Sequence, residues 1–385
     1  MTTFGPLFVP EEVRAAVSDD AWLAAMLDAE RALAVASARV GVVPADAAAA
    51  IALACDPASF AVDEIAAAGR AVANPAAPLV DALRARVGGE AARWVHFGAT
   101  SQDVVDTAAV LVAREATKHV VDSLDGAAAA CARLAEEHRD TPAAGRTLLQ
   151  QAVPTTFGAK AAGWLTGLLD ARDVLVSLRL PAQLGGAAGT LAAFGGRGVE
   201  VLEAYAAELD LDAPTLPWHA RRGPLGALAA RLDAAAVACA KIGLDVVLLA
   251  QTEVGEVAEA AGGGSSTMPH KRNPAQASLA RACARLVHAN AGVLTGGEYE
   301  HERAAGAWQA EWTALTETLA HTAGAAAAIA ACLDGLEVFP ERMRANMTPH
   351  VYSERDRLGL GDDADYLGSA GVFVDRALAR YREGA

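Results

Sequence analysis

The length of the helical pattern is the strongest constraint on this chain. Residues from about 104 to 139, 157 to 180 and 225 to 260 each read as one long helix built mostly of Ala, Leu and Val. Ordinary helices average about 11–12 residues, and a single chain rarely buries much longer apolar ones on every side. The pattern therefore predicts a long-helix bundle completed by association of several copies. Hydrophobic residues make up 53% of the chain but aromatics only 5%, a core chemistry that suits close-packed helices better than a β-sandwich. The predicted class is all-α. At 385 residues, two or three domains are expected. The breaks suggest a small N-terminal helical domain over 1–103, a central long-helix domain over 104–335 and a C-terminal helical segment over 336–385.

In the first of these, Gly5, Pro6 and Pro10 precede an amphipathic helix carrying Trp22, Leu23, Met26, Leu27, Leu33 and Val35, with Asp19 and Asp20 at its start. Gly41 and Pro44 end it, a helix is predicted over 45–55, and Asn74 to Pro78 forms a hard break before another over 79–87. A net charge of −15 argues against nucleic acid, whose phosphates reward positive surface. Five cysteines at 55, 131, 239, 283 and 332, an odd number without close pairing, fit free thiols in a reducing compartment and predict a cytoplasmic protein. The N-terminus has no basic-then-apolar leader, and apolar runs such as Ala323–Leu333 are too short to span a bilayer, so no membrane association is predicted. No His has a His partner four residues on, and His301-Glu302 lacks the second His of a zinc protease, so no metal is predicted.

One stretch breaks the helical pattern with concentrated chemistry: Gly262-Gly263-Gly264-Ser265-Ser266-Thr267-Met268-Pro269-His270-Lys271-Arg272-Asn273-Pro274. Three glycines rule out a stable helix or strand interior, while Pro269 and Pro274 stiffen the second half. A solvated linker needs neither a central Met-Pro nor a cation cluster closing on Asn-Pro. No Gly-Lys-Ser/Thr stands at phosphate-loop spacing, and no closing glycine makes a nucleophile elbow. The stretch therefore reads as an anion-facing loop whose serine a nearby lysine could activate for proton transfer.

These residues resemble the signature loop of the fumarase/aspartase superfamily, Gly-Ser-Ser-x-Met-Pro-x-Lys-x-Asn-Pro, at every specified position. The resemblance implies that Ser265 takes a proton from the carbon beside a carboxylate. Lys271 and Asn273 then hold the dianion that forms. It also implies a bundle of the fumarase/aspartase type, a homotetramer, and active sites assembled from signature segments of more than one chain.

Two further segments carry the resemblance. In Val95 to Thr107, Thr100 followed three residues later by Asp103 is a capping box for the long helix after it, and the same geometry points free N–H groups at an anion. The run His96-Phe97-Gly98-Ala99-Thr100-Ser101-Gln102-Asp103 is similar to the superfamily's first signature, in the branch that cyclises 3-carboxy-cis,cis-muconate. Thr100, Ser101 and Gln102 become candidate substrate contacts. Gly145-Arg146-Thr147 continues with Leu148-Leu149-Gln150, making Thr147 and Gln150 further candidates, but related lyases place a proton-donating His where this chain has Leu148. An apolar side chain cannot transfer a proton. Expelling an amine needs one, whereas a carboxylate, of pKa about 4, leaves unaided. The alternative is that Leu148 is core and another group supplies the proton.

Residues 181–198 read as a partly ordered loop, 214–224 as a structured turn, and 275–296 as a helix. In 300–312 the charges read as a solvated helical face except Arg303, which matches an arginine that related lyases set against a substrate carboxylate; Trp308 and Trp312 read as packing. Residues 336–344 and 366–371 resemble the start and the end of the family's C-terminal domain. The expected activity is a cofactor-independent cycloisomerase acting on 3-carboxy-cis,cis-muconate. The alternatives are a lyase releasing fumarate from a succinate adduct such as adenylosuccinate, and a catalytically silent relative.

Overall fold

The computed structural model describes residues 4–260, 263–264, 268, 271–296, 299–360 and 366–384. The class is all-α, as the composition predicts. In chain order the main elements are α1 (Asp19–Arg39), α2 (Ser101–Glu137), β1 (Pro142–Thr147), β2 (Gln150–Thr156), α3 (Phe157–Val176) and α4 (Gly223–Leu249). Then come β3 (Val257–Glu259), β4 (Gly263–Gly264), β5 (Arg272–Asn273), α5 (Ala275–Thr295), α6 (Ala307–Asp334), β6 (Leu336–Val338) and α7 (Ala370–Glu383). Shorter helices fill much of the remainder. No described helix is long and apolar enough to cross a membrane.

The chain forms two compact units from interleaved segments. One comprises Met1–Lys118, Ser177–Ala230 and His288–Ala320, the other His119–Val176, Arg231–Val287 and His321–Ala385. Helices α2, α4, α5 and α6 each supply residues to both. The partition therefore cuts across the consecutive division read from the sequence, because a long helix carries the chain out of one unit without any local breaker to mark the passage.

In the first unit, Ser18 caps α1 by accepting from Ala21 N at 3.2 Å, and Asp19 and Asp20 add charge that favours the helix N-terminus. The buried face of α1 packs against the 45–54 and 198–208 helices. Arg31 and Arg39 both pair with Glu208, at 3.1 and 2.8 Å. Ile51, Val80, Leu83 and Val95 form an apolar cluster flanked by Trp94 and Phe97, whose rings stand 5.0 Å apart.

In the second unit, β1 and β2 make an antiparallel hairpin with Thr147 opposite Gln150 and an irregularity between Ala144 and Arg146. β3 pairs antiparallel with β6, and β4 with β5. Helix α7 lies on α3, tied by Arg380 to Asp170 (2.6 Å) and Asp173 (2.8 Å).

Several boundaries differ from the sequence reading. The helix expected over 225–260 stops at Leu249, and Val257–Glu259 becomes a strand paired with Leu336–Val338, which was expected to be helical. The helix expected to 180 stops at Val176. The charge run at 300–306 precedes α6 rather than lying on it, and a helix over Gly198–Glu208 follows the 181–198 loop without a counterpart in the sequence pattern.

Candidate active site

The predicted binding residues of the first unit gather at the start of α2. The capping box is half formed. Asp103 Oδ2 accepts from Thr100 N at 3.0 Å, but Asp103 N donates to the Thr100 carbonyl (2.9 Å), which leaves Thr100 Oγ1 to accept from Arg303 Nη1 at 2.6 Å. Arg303 Nη2 donates to the carbonyls of Ala187 (2.9 Å) and Gly186 (3.3 Å). A guanidinium has five N–H donors, so Nε–H and one Nη1–H remain for a ligand beside the helix N-terminus. Ser101 opens the same turn, and its hydroxyl has no hydrogen bond among the described residues. The sequence segments at 100 and 303 thus meet at one corner of the first unit.

Gln102 is placed differently from expectation. It is fully buried, and its amide donates to His219 O (2.9 Å) and Asp106 Oδ2 (3.1 Å). Both amide hydrogens are engaged inside the unit, so Gln102 ties α2 to the 214–224 turn instead of offering a donor to substrate.

One turn further along α2, Asp106 and Glu311 enclose Arg222, and all three side chains are buried. Arg222 donates to Asp106 Oδ2 (2.6 Å) and Oδ1 (2.9 Å) and, through Nε, to Glu311 Oε2 (3.0 Å). Burial works against the guanidinium charge, but the two carboxylates outweigh it and hold the pKa above the ordinary arginine value. Trp308 Nε1 donates to Asp106 (2.9 Å) and Tyr299 OH to Glu311 (2.5 Å), while the Trp218 ring stacks 4.8 Å from the guanidinium. Trp308 is therefore packing with a polar anchor, meeting Trp312 edge-on at 4.9 Å. This network fixes the starts of α4 and α6 against α2.

In the second unit, Leu148 and Leu149 form the two-residue loop of the β1–β2 hairpin. Both are left-handed, with φ of 51° and 65°, and they are 96% and 73% exposed. Leu148 is therefore not part of the core of its own chain. Thr147 and Gln150, closing the loop as register partners, are also exposed. The hairpin is anchored just below its tip: Arg146 grips the buried Glu256 with two hydrogen bonds (2.6 and 3.0 Å), and Asn346 Nδ2 reaches the same carboxylate at 2.9 Å. Gln151, rather than Gln150, braces the adjacent strand, donating to Asn346 O (2.7 Å) and accepting from Thr348 N (3.0 Å).

The signature loop departs from a fastened base. Arg272 holds Glu337 through two hydrogen bonds (2.6 and 2.9 Å) and donates to Glu259 O (2.9 Å). The buried Glu259 carboxylate caps α5, accepting from Gln276 N (3.0 Å) and Ala277 N (2.9 Å), so that helix N-terminus is already occupied by an anion. Lys271 is exposed and Asn273 partly buried on β5, opposite Gly263. Ser265, the expected proton-transfer group, lies outside the described residues, as do Ser266 and Thr267.

Sequence reasoning missed the supporting acids: Asp103 as an acceptor for Gly185 N and Gly186 N beyond its capping role, Asp106 and Glu311 around Arg222, and Glu256 under Arg146. Their partners stand 80 to 200 positions away for most pairs, so no local spacing announces them.

Comparison with known proteins places these geometries in context. The profile of a family described as Lyase matches residues 10–288. A nitrosuccinate lyase from Streptomyces davaonensis is 49% identical over 359 residues, spanning 89% of this chain and 76% of the relative. A 3-carboxy-cis,cis-muconate cycloisomerase from Bradyrhizobium diazoefficiens is 45% identical over 360 residues, spanning 90% and 80%. The crystal structure of the 3-carboxy-cis,cis-muconate lactonizing enzyme from Pseudomonas putida superposes with a TM-score of 0.90 at 35% identity, covering 99% of both chains.

Proposed function

We propose, from the premise that the chain belongs to this lyase family and has the fumarase/aspartase-type fold, that it is a 3-carboxy-cis,cis-muconate cycloisomerase. In the cyclising direction a substrate carboxylate oxygen adds to one carbon of a double bond. Ser265 gives its proton to the neighbouring carbon, and Lys271 and Asn273 hold the enolate-like carboxylate in between. Charge that develops only in the transition state is where such contacts accelerate the reaction most. Thr100, Ser101 and Arg303 take a second carboxylate, and Thr147 and Gln150 flank the hairpin tip. The assembly is a homotetramer whose sites draw on more than one chain.

The observation that carries this reading is the hairpin tip. Thr147-Leu148-Leu149-Gln150 contains no group that exchanges a proton near neutral pH, which favours a reaction whose reverse direction releases an anion that needs none. A carboxylate is such an anion. So is nitrite, and the 49% identity to a nitrosuccinate lyase favours a second reading, in which a proton and nitrite are eliminated from nitrosuccinate to leave fumarate. Adenylosuccinate, which releases an amine, fits neither.

The test is one purified protein with three substrates. Loss of the muconate ultraviolet band is the expected result. Nitrite release without muconate turnover transfers the assignment to the second reading, and efficient cleavage of adenylosuccinate overturns the argument from Leu148.

A further inference from the structure

We propose that Asp103 is a positioning residue that aims Arg303 at a substrate carboxylate; the proposal rests on the reading of Arg303 given above. Asp103 is 1% exposed. Its carboxylate gathers donors from three separate parts of the first unit. Oδ1 accepts from His219 Nε2 (2.6 Å), Gly185 N (2.8 Å) and, more distantly, Gln183 Nε2 (3.5 Å). Oδ2 accepts from Gly186 N (2.9 Å) and Thr100 N (3.0 Å).

Two of these donors belong to residues that also hold Arg303. Thr100 supplies Oγ1 to Nη1, and Gly186 supplies its carbonyl to Nη2, with Ala187 beside it. One buried carboxylate thus fastens the backbone on both sides of the guanidinium. The turn that allows this needs glycine: Gly186 has φ +69°, and a Cβ there would stand 2.8 Å from Gly98 O, while a Cβ on Gly185 would meet Pro217 and His219 within 3 Å. The Thr100 and Gly186 anchors are therefore not independent of Asp103. A guanidinium displaced by about 1 Å from its carboxylate loses most of a directional charged hydrogen bond.

Asp103→Asn keeps the volume and changes the polarity. Whichever way the amide turns, its NH2 faces a backbone N–H that now donates: Gly185 N on one side, Gly186 N and Thr100 N on the other. The experiment is a double-mutant cycle with Arg303→Gln, read as KM and kcat for carboxymuconate and, in parallel, as calorimetric binding of propane-1,2,3-tricarboxylate. Each single variant is expected to raise KM and weaken tricarboxylate binding at least 10-fold, with a smaller change in kcat. The double variant is expected to be no worse than Arg303→Gln alone, because once the guanidinium is gone its aim no longer matters.

Effects that multiply in the double variant would overturn the proposal, since a general structural defect adds to the loss of Arg303. A fall in kcat with KM and binding unchanged would overturn it too. Should Asp103→Asn not accumulate as folded protein, His219→Phe withdraws one donor while keeping a ring, and the same cycle applies with a smaller effect. If wild type turns over neither carboxymuconate nor nitrosuccinate, the functional reading fails, and the tricarboxylate cycle alone decides the positioning role. Absence of tricarboxylate binding in wild type overturns both.

Discussion

Replacing the hairpin tip by Leu148→Asn/Leu149→Gly is expected to stabilise the protein. Both leucines are left-handed, φ 51° and 65°, in a two-residue loop of the kind that demands φ > 0 at both positions. An L-residue in that region costs roughly 1–2 kcal/mol, so the two together carry about 2–4 kcal/mol of strain. Asn tolerates the conformation and Gly adopts it freely, although Gly returns roughly 0.5–1 kcal/mol of unfolded-chain entropy. At 96% and 73% exposure the leucines bury little apolar surface within their own chain, so their removal forfeits little hydrophobic stabilisation. The net gain is about 1–3 kcal/mol. For cooperative units of 150–250 residues each kcal/mol moves Tm by about 2–4 °C, so a rise of several degrees is expected in a calorimetric scan. Light scattering and steady-state kinetics on the same samples separate strain from function. A higher Tm with at least a 10-fold loss of kcat/KM would mean that the strained tip is retained for the reaction. A lower Tm with assembly intact would refute the reasoning, because the leucines would then be held by contacts worth more than their strain.

Ser265→Ala is expected to fold, assemble and bind substrate but lose on the order of 10²-fold or more in kcat, with Ser266→Ala much less affected; the opposite order in steady-state kinetics would move the assignment by one position. Arg222→Met leaves Asp106 and Glu311 buried without their cation and should cost about 3–5 kcal/mol in denaturant unfolding; a loss below about 1 kcal/mol would contradict this. His96, whose Nδ1 lies 2.5 Å from Glu30, is pulled down by burial, but Glu30 outweighs it and the pKa is raised above 6.5. A raised folded pKa contributes stability that is full below the unfolded value and lost as pH rises through the folded one, so from about pH 6.5 upward wild type should lose Tm faster than His96→Asn; parallel curves would contradict this. Arg303→Gln should weaken a tricarboxylate more than a dicarboxylate if it grips the additional carboxylate, and both alike if it grips a shared one, as kcat/KM ratios would report.

The long helices were legible because their apolar repeat is strong and uninterrupted, and the N-terminal helices because Pro and Gly bound them. The hairpin was not. Its turn carries Leu-Leu where a two-residue loop ordinarily announces itself with Asn-Gly, and its strands mix Gln, Thr, Ala and Gly without alternation. Val257–Glu259 continued an apolar helical pattern and became a strand only because Leu336–Val338, nearly 80 positions later, offers it backbone partners. At the site, Thr100 and Arg303 could be singled out one by one, but not as partners, since 203 positions separate them. Gln102 illustrates the converse. Its place in a motif marks it as important without saying toward which side of the backbone it faces, and burial turns it inward.

The leaving group is the point at which residue chemistry stops distinguishing substrates. A side chain that donates a proton separates amines from acids, because only the amine requires it. The absence of such a side chain at Leu148 separates nothing further, since carboxylate and nitrite are both anions of acids ionised at neutral pH. Discrimination between a tricarboxylate and a nitro-dicarboxylate must therefore rest on where the remaining charges bind. A donor set that matches an additional carboxylate rejects a substrate lacking it, because its buried donors are left unpaired, whereas an apolar wall cannot reject on charge alone. Of the described candidates, Arg303 is held in a fixed geometry by Thr100, while Lys271 is an exposed flexible cation. On the proposed reading, substrate choice is accordingly expected to depend on the first of these, and the reaction common to both substrates on the second.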